Sequence, residues 1–243
     1  MVRGTCQITR LKYTYPLKLI SSKSHSPIVQ HIHILNYGGG LVSGDHINLV
    51  IHCHQDASLK LYTQSTTKVF KKLSSKQTRQ SLSVYIAENA SLVIQSDPIT
   101  CYENADYLQH QSFHLHEYGS LFNTDWVSLG CIESKNDSLF TSQMVFKSVY
   151  FIDSQVIMKE SWSLNRESCV LFGYRNICQI AVIGPLYQES FKDLTFETIG
   201  GGGVFWSKSL IVNGKGVVIK ALSMSTHDML VFLRRIRRVF GMD

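Results

Sequence analysis

The side chains most suggestive of chemistry in this 243-residue chain are three His-x-His pairs, His31 and His33, His52 and His54, His114 and His116. On a strand, residues i and i+2 share one face about 6.5 to 7 Å apart, so each pair could offer two imidazoles to a borderline transition metal such as nickel or zinc. A metal-buffering protein would use them so. No third ligand stands at a recognisable spacing, and the plainer reading places these histidines on the wet faces of strands. A second chemistry is suggested by Asp97 and Glu103 in SDPITCYENAD, a carboxylate pair of the kind that carbohydrate-active enzymes on β-scaffolds use. Acidic residues beside Asp-Pro more often build turns. No nucleophile elbow, HExxH or Cys-His signature supports hydrolysis.

The glycine run in Tyr37 to Asp45, YGGGLVSGD, invites a phosphate-loop reading. It lacks the Lys-Ser/Thr of a P-loop, fails the G-x-G-x-x-G spacing and precedes no helical pattern, so no helix N-terminus waits to hold an anion. The alternative is a tight strand connection shaped by Gly38, Gly39, Gly40 and Gly44 and capped by Asp45. Trp126 beside Asp125 reads as a core aromatic next to a turn carboxylate.

The elements that must carry these residues are mainly β. Ile47, Leu49, Ile51 and Cys53 alternate with polar residues, and the pattern recurs at Leu59 and Leu61, at Leu82, Val84 and Ile86, and at Phe113 and Leu115. Short polar turns separate these runs. The spacing favours stacked antiparallel sheets, a barrel or a β-helix-like solenoid in a single domain over residues 1–243. Met229, Phe232, Leu233, Ile236 and Phe240 follow helical spacing instead, with Ser225 and Asp228 as a capping box and Gly241 as the stop. A shorter helix is expected near 186–194, after Pro185.

Composition excludes several classes. With 44% hydrophobic and 17% charged residues and no low-complexity block, the chain is an ordered globular protein. No apolar run approaches the ~18 residues that cross a bilayer, and no secretory h-region opens the sequence. A cytoplasmic protein without membrane contact is expected. The six scattered cysteines, without a CxxC, are read as reduced and mostly buried. The net charge of +6 is partly local, in Arg234, Arg235, Arg237 and Arg238 and in Lys68, Lys71, Lys72, Lys76 and Arg79. No nucleic-acid motif accompanies it, so a protein partner is favoured over nucleic acid.

Taken in order, the motifs resemble the urease accessory protein D family (UreD/UreH) over nearly the whole chain, in its eukaryotic form. Gly38-Gly39-Gly40 to Gly44-Asp45 is similar to the family's GG-x-x-x-GD turn, and Thr67-Lys68-Val69-Phe70 to its T-K-x-F/Y segment. Asp97-Pro98 with Thr100-Cys101-Tyr102 is similar to eukaryotic members, and Asp125-Trp126 with Gly130 to the D-W-x-x-x-G block. Cys131 departs from the arginine usual there, while Glu133 keeps the acidic position.

The resemblance implies a non-catalytic maturation chaperone that bridges urease apoprotein and accessory protein F, with the GTPase accessory protein G beyond. It implies no tightly bound cofactor and a transient nickel ion passed toward urease through a polar interior of weak ligands. By motif position the path would include Asp45, Thr66, Asp125 and Glu160, with Lys68 as the internal counter-charge.

Overall fold

The computed structural model describes residues 5–22, 27–129, 142–165, 174–195, 203–211 and 214–242. Gly130, Cys131, Glu133, Cys169 and Gly200 to Gly202 therefore lie outside the described residues.

Strands β3 (His46–Cys53), β6 (Thr78–Ile86), β9 (Asp106–Leu115) and β11 (Gln143–Ile152) each bury alternate residues. They pair in parallel, in that order, and β12 (Gln155–Leu164) completes a five-stranded sheet as an antiparallel hairpin with β11. Asp153 and Ser154, both at positive φ, make the two-residue turn of that hairpin.

The larger sheet contains a second parallel stack, β2 (Val29–Asn36), β4 (Ser58–Thr63), β7 (Ser91–Gln95) and β10 (Ser120–Ser128). Antiparallel strands flank it: β1 (Leu17–Ser22) on one side, then β13 (Asn176–Ile183), β15 (Gly216–Ser223) and β14 (Val204–Ile211) on the other. The short strands β5 (Thr67–Val69) and β8 (Ile99–Cys101) pair with each other and through β8 with β10.

Of the arrangements the alternation allows, the solenoid is the one formed. Its stacked strands pair parallel, not antiparallel, because each tight turn sends the chain to the opposite sheet instead of back alongside itself. Neighbours in a stack are therefore successive coils. The turns stack as well: Asp56 N–H donates to the Glu88 carbonyl (3.1 Å) and His116 N–H to the Ile86 carbonyl (2.9 Å).

Helix α1 (Thr226–Val239) lies where helical spacing places it. The Ser225 hydroxyl accepts from Asp228 N–H, and Met242 and Gly241 N–H return to the Arg237 and Arg238 carbonyls around Gly241 at φ 65°. That pair of bonds is a Schellman ending. The predicted short helix is a 3₁₀ helix, Pro185–Phe191, which turns Tyr187 and Phe191 inward.

Two cores result. One fills the space between the sheets, and the other lies between the larger sheet and α1, with Met229, Phe232 and Ile236 against Phe122, Trp126 and Ile180. Cys6, Cys53, Cys101 and Cys178 are free thiols, and burial pushes Cys53 and Cys101 up to about 12. Such thiols are inert at neutral pH.

Candidate functional site

The four motifs that stand apart in the sequence become one layer. Leu41, at the end of the glycine run, bridges Val69 in parallel, its N–H donating to the Lys68 carbonyl at 2.8 Å while Phe70 N–H returns to the Leu41 carbonyl at 2.9 Å. Thr67 pairs with Ile99, and Ile99 with Val127, two residues beyond Asp125. Gly40 is glycine because a Cβ there would stand 2.6 Å from the Lys68 carbonyl oxygen. Asp45 caps this turn: its Oδ2 accepts from Val42 N–H at 2.8 Å.

Beside this layer, polar side chains enter the space between the sheets where alternation demands apolar ones. From the five-stranded sheet come Gln80, Gln109, Gln111, Ser148 and Glu160, each in the register whose neighbours, such as Tyr107, Phe113, Phe146 and Tyr150, are core residues. From the larger sheet Asn123 and Asp125 face them, and one register row carries Asp125, Gln179 and Lys220 across β10, β13 and β15. Gln109, Gln111, Asn123, Ser148 and Gln179 are buried.

Hydrogen bonds connect the seam. Gln109 Nε2 donates to both Asp125 oxygens (2.9 and 2.8 Å), and Tyr107 Oη donates to Gln109 Oε1 (3.0 Å). Asn123 Nδ2 donates to Gln111 Oε1 (3.3 Å) and Tyr150 Oη (3.5 Å). Asn123 Oδ1 finds no protein donor among the described residues. A buried acceptor without a partner costs free energy.

Desolvation dominates the electrostatics. It raises Asp125 to about 6, against the lowering pull of the Gln109 and Gln111 amides, although the residue keeps some solvent access. Tyr107 and Tyr150 are raised by burial as well, so their hydroxyls stay protonated; Tyr107 donates, while Tyr150 accepts from Asn123. At the far edge Lys220 Nζ reaches Glu160 Oε2 at 2.8 Å, with the lysine half exposed and the glutamate mostly covered. The seam therefore runs from a solvent-facing ion pair to a buried carboxylate.

Of the residues expected from motif position, Asp125 and Glu160 both face this seam. Asp45 enters β3, the sheet edge opposite Glu160, and its carboxylate is engaged in the turn. Thr66 precedes β5, whose interior register is taken by Thr67 and Val69. Lys68, the expected counter-charge, is exposed because the same alternation turns it outward; the ammonium that meets a seam carboxylate is Lys220. Trp126 sits in the helix-side core, its Nε1–H donating to the Ser96 carbonyl at 2.8 Å. Gln109, Gln111, Asn123, Gln179 and Lys220 were not anticipated. Gln109 and Gln111 carry one signal, glutamine in the inward register that Phe113 and Leu115 define; Asn123, Gln179 and Lys220 carry none.

The histidine pairs lie elsewhere. His52 and His114 sit on the outer face of the five-stranded sheet, separated by Tyr85 and stacked on it at 4.8 and 4.9 Å. His31 and His33 pack on Tyr62, and His116 Nδ1 accepts from Tyr118 N–H. Among the described residues no three His, Cys, Asp or Glu side chains are grouped to hold a metal ion. Asp97 is held by the Thr63 hydroxyl (3.1 Å), while Glu103 is exposed beyond the other end of β8.

The sequence profile described as UreD urease accessory protein matches residues 2–242. The chain belongs to the UreD urease accessory protein family. It is 32% identical to urease accessory protein D of Oryza sativa subsp. indica, covering 96% of this chain and 87% of that one. Identity to urease accessory protein D of Arabidopsis thaliana is 28%, over 96% and 92% of the two chains. Urease accessory protein UreD of Staphylococcus aureus strain JH9 is 32% identical over 69% of this chain and 62% of its own. These UreD relatives are named as accessory proteins, not as catalysts, and the carbohydrate-active enzyme reading of Asp97 and Glu103 falls with that membership. Among the described residues no helix is long and apolar enough to cross a membrane.

Proposed function

We propose that this chain is a urease maturation chaperone, working in the cytoplasm, that bridges urease apoprotein and accessory protein F and passes nickel along the seam between its sheets. Accessory protein G would dock beyond F. The observation that carries this reading is the polar seam itself, from the Lys220–Glu160 pair at the sheet edge to Asp125. A purely structural interior gains nothing from placing a carboxylate and four amides there, since apolar residues of similar volume are as stabilising or more so.

The donor set suits a cargo ion in transit. Asp125, Glu160, the amide oxygens and the tyrosine hydroxyls are all oxygen ligands, whereas the thiol of Cys178 belongs to the helix-side core. Oxygen donors hold a borderline divalent ion less firmly than imidazole or thiolate and release it readily. Asp125 would accept the ion as a carboxylate whose buried charge the ion offsets, and Glu160 as it parts from Lys220. Asp45 and Thr66 would contribute at the ends of the path, outside the seam.

Alanine at Asp125 and, separately, at Glu160 tests this reading. Both variants should still co-purify with urease apoprotein and accessory protein F, while urease activation falls at least several-fold. Normal activation by both variants would refute the path.

A further inference from the structure

Two register rows face each other across the seam. On the five-stranded sheet Glu160, Ser148 and Gln111 stand side by side across β12, β11 and β9; on the larger sheet Lys220, Gln179 and Asp125 do so across β15, β13 and β10. The rows meet rung by rung. Lys220 Nζ reaches Glu160 Oε2 at 2.8 Å, Ser148 and Gln179 flank the Tyr150 hydroxyl, and the Gln111 amide stands by the Asp125 carboxylate. With strands about 4.8 Å apart, the outer and inner rungs are separated by roughly 10 Å. The outer rung is not explained by packing. Lys220 interrupts the register of Val218 and Leu222, and Glu160 that of Met158 and Trp162, so apolar residues flank each charge. The lysine side chain is 53% exposed and the glutamate 18%, and ion pairs so open to water contribute little to stability.

We infer that Lys220 is a tethered substitute for the cargo cation: its ammonium fills the cation position at Glu160, the mouth of the seam, until a divalent ion displaces it, and returns when that ion leaves. The inference rests on the proposed nickel path and concerns how its mouth is loaded and emptied. Loading exchanges one cation for another at a single carboxylate, so the largely covered charge of Glu160 is never left unpaired. The displaced ammonium swings into water but stays tethered beside the site. Its effective concentration is therefore high at every nickel concentration, which keeps the hold on the ion weak. A doubly charged ion is drawn to the carboxylate more strongly than a single ammonium, whereas sodium or potassium carries only the charge that the tethered group already supplies. The mouth thus selects divalent over monovalent cations and gives them up readily.

Nickel binding by the full chain, followed by isothermal titration calorimetry, tests this in wild type, Lys220→Met, Lys220→Arg, Glu160→Gln and the double variant Lys220→Met with Glu160→Gln. Lys220→Met keeps most of the apolar stem and removes the charge; it should bind nickel at least about threefold more tightly than wild type, with an unchanged melting temperature. Lys220→Arg retains a tethered cation and should stay within about twofold of wild type. Glu160→Gln should cancel the gain in the double variant, a coupling that a merely structural lysine would not show. A Lys220→Met affinity within about twofold of wild type, including the case in which neither chain binds measurably, would overturn the substitute role. So would a gain that persists without the Glu160 charge. If activation of urease still falls in the Asp125 and Glu160 alanine variants, such a result leaves the path standing without this device. Normal activation by both alanine variants would remove the path, and the role of Lys220 with it.

Discussion

Asp125 carries the conflict on which the account turns. Burial raises its carboxyl to about 6, so the fold favours the neutral form. The stability this brings is present below the unfolded value near 3.8 and is lost as pH rises through about 6. At neutral pH the ionised side chain costs roughly 2 to 3 kcal/mol. Asp125→Asn, which keeps an acceptor for Gln109, should therefore raise the midpoint of urea unfolding at pH 7.5 and leave it unchanged at pH 4. An equal gain at both pH values would contradict the protonation argument. Sequence marked Asp125 and Glu160 only through motif position. Their partners Gln109, Asn123 and Lys220 were hidden because register decides whether a polar strand residue points in or out, and two strands must be paired before that register has a consequence.

At the scale of elements, the alternation showed where strands run, and the cap residues showed where α1 begins and ends. Pairing was not legible, because half-buried strands look alike whether the chain doubles back or coils onward. The glycine run is informative in a different way. Its shape follows from contact with β5, twenty-eight residues later at Lys68, which no local pattern specifies. Gly40→Ala would press a methyl group onto that carbonyl and should destabilise the fold by about 1 to 3 kcal/mol, read as a lower unfolding midpoint. Ser225→Ala removes the cap of α1 and should cost about 1 kcal/mol. Since α1 covers the helix-side core and not the seam, the latter variant should leave urease activation unaltered at temperatures where it stays folded.

For the whole molecule, two sheets enclosing a polar seam, with a helix sealing the outer side of one of them, separate the jobs of folding and transit. The apolar cores on either side hold the coils together, which leaves the seam free to carry groups that contribute little to stability. Its closure can be tested without touching either carboxylate or the surface. Gln111→Leu with Asn123→Leu fills the interior with apolar volume, and the chain should remain folded and bound to its partners. The direct measurement is the nickel content of urease matured with this plugged variant, taken on the same preparation in which its binding to urease apoprotein and accessory protein F is quantified. Transit through the seam requires intact complexes and urease with a small fraction of the wild-type nickel per active site. Full nickel loading by the plugged chain would contradict it.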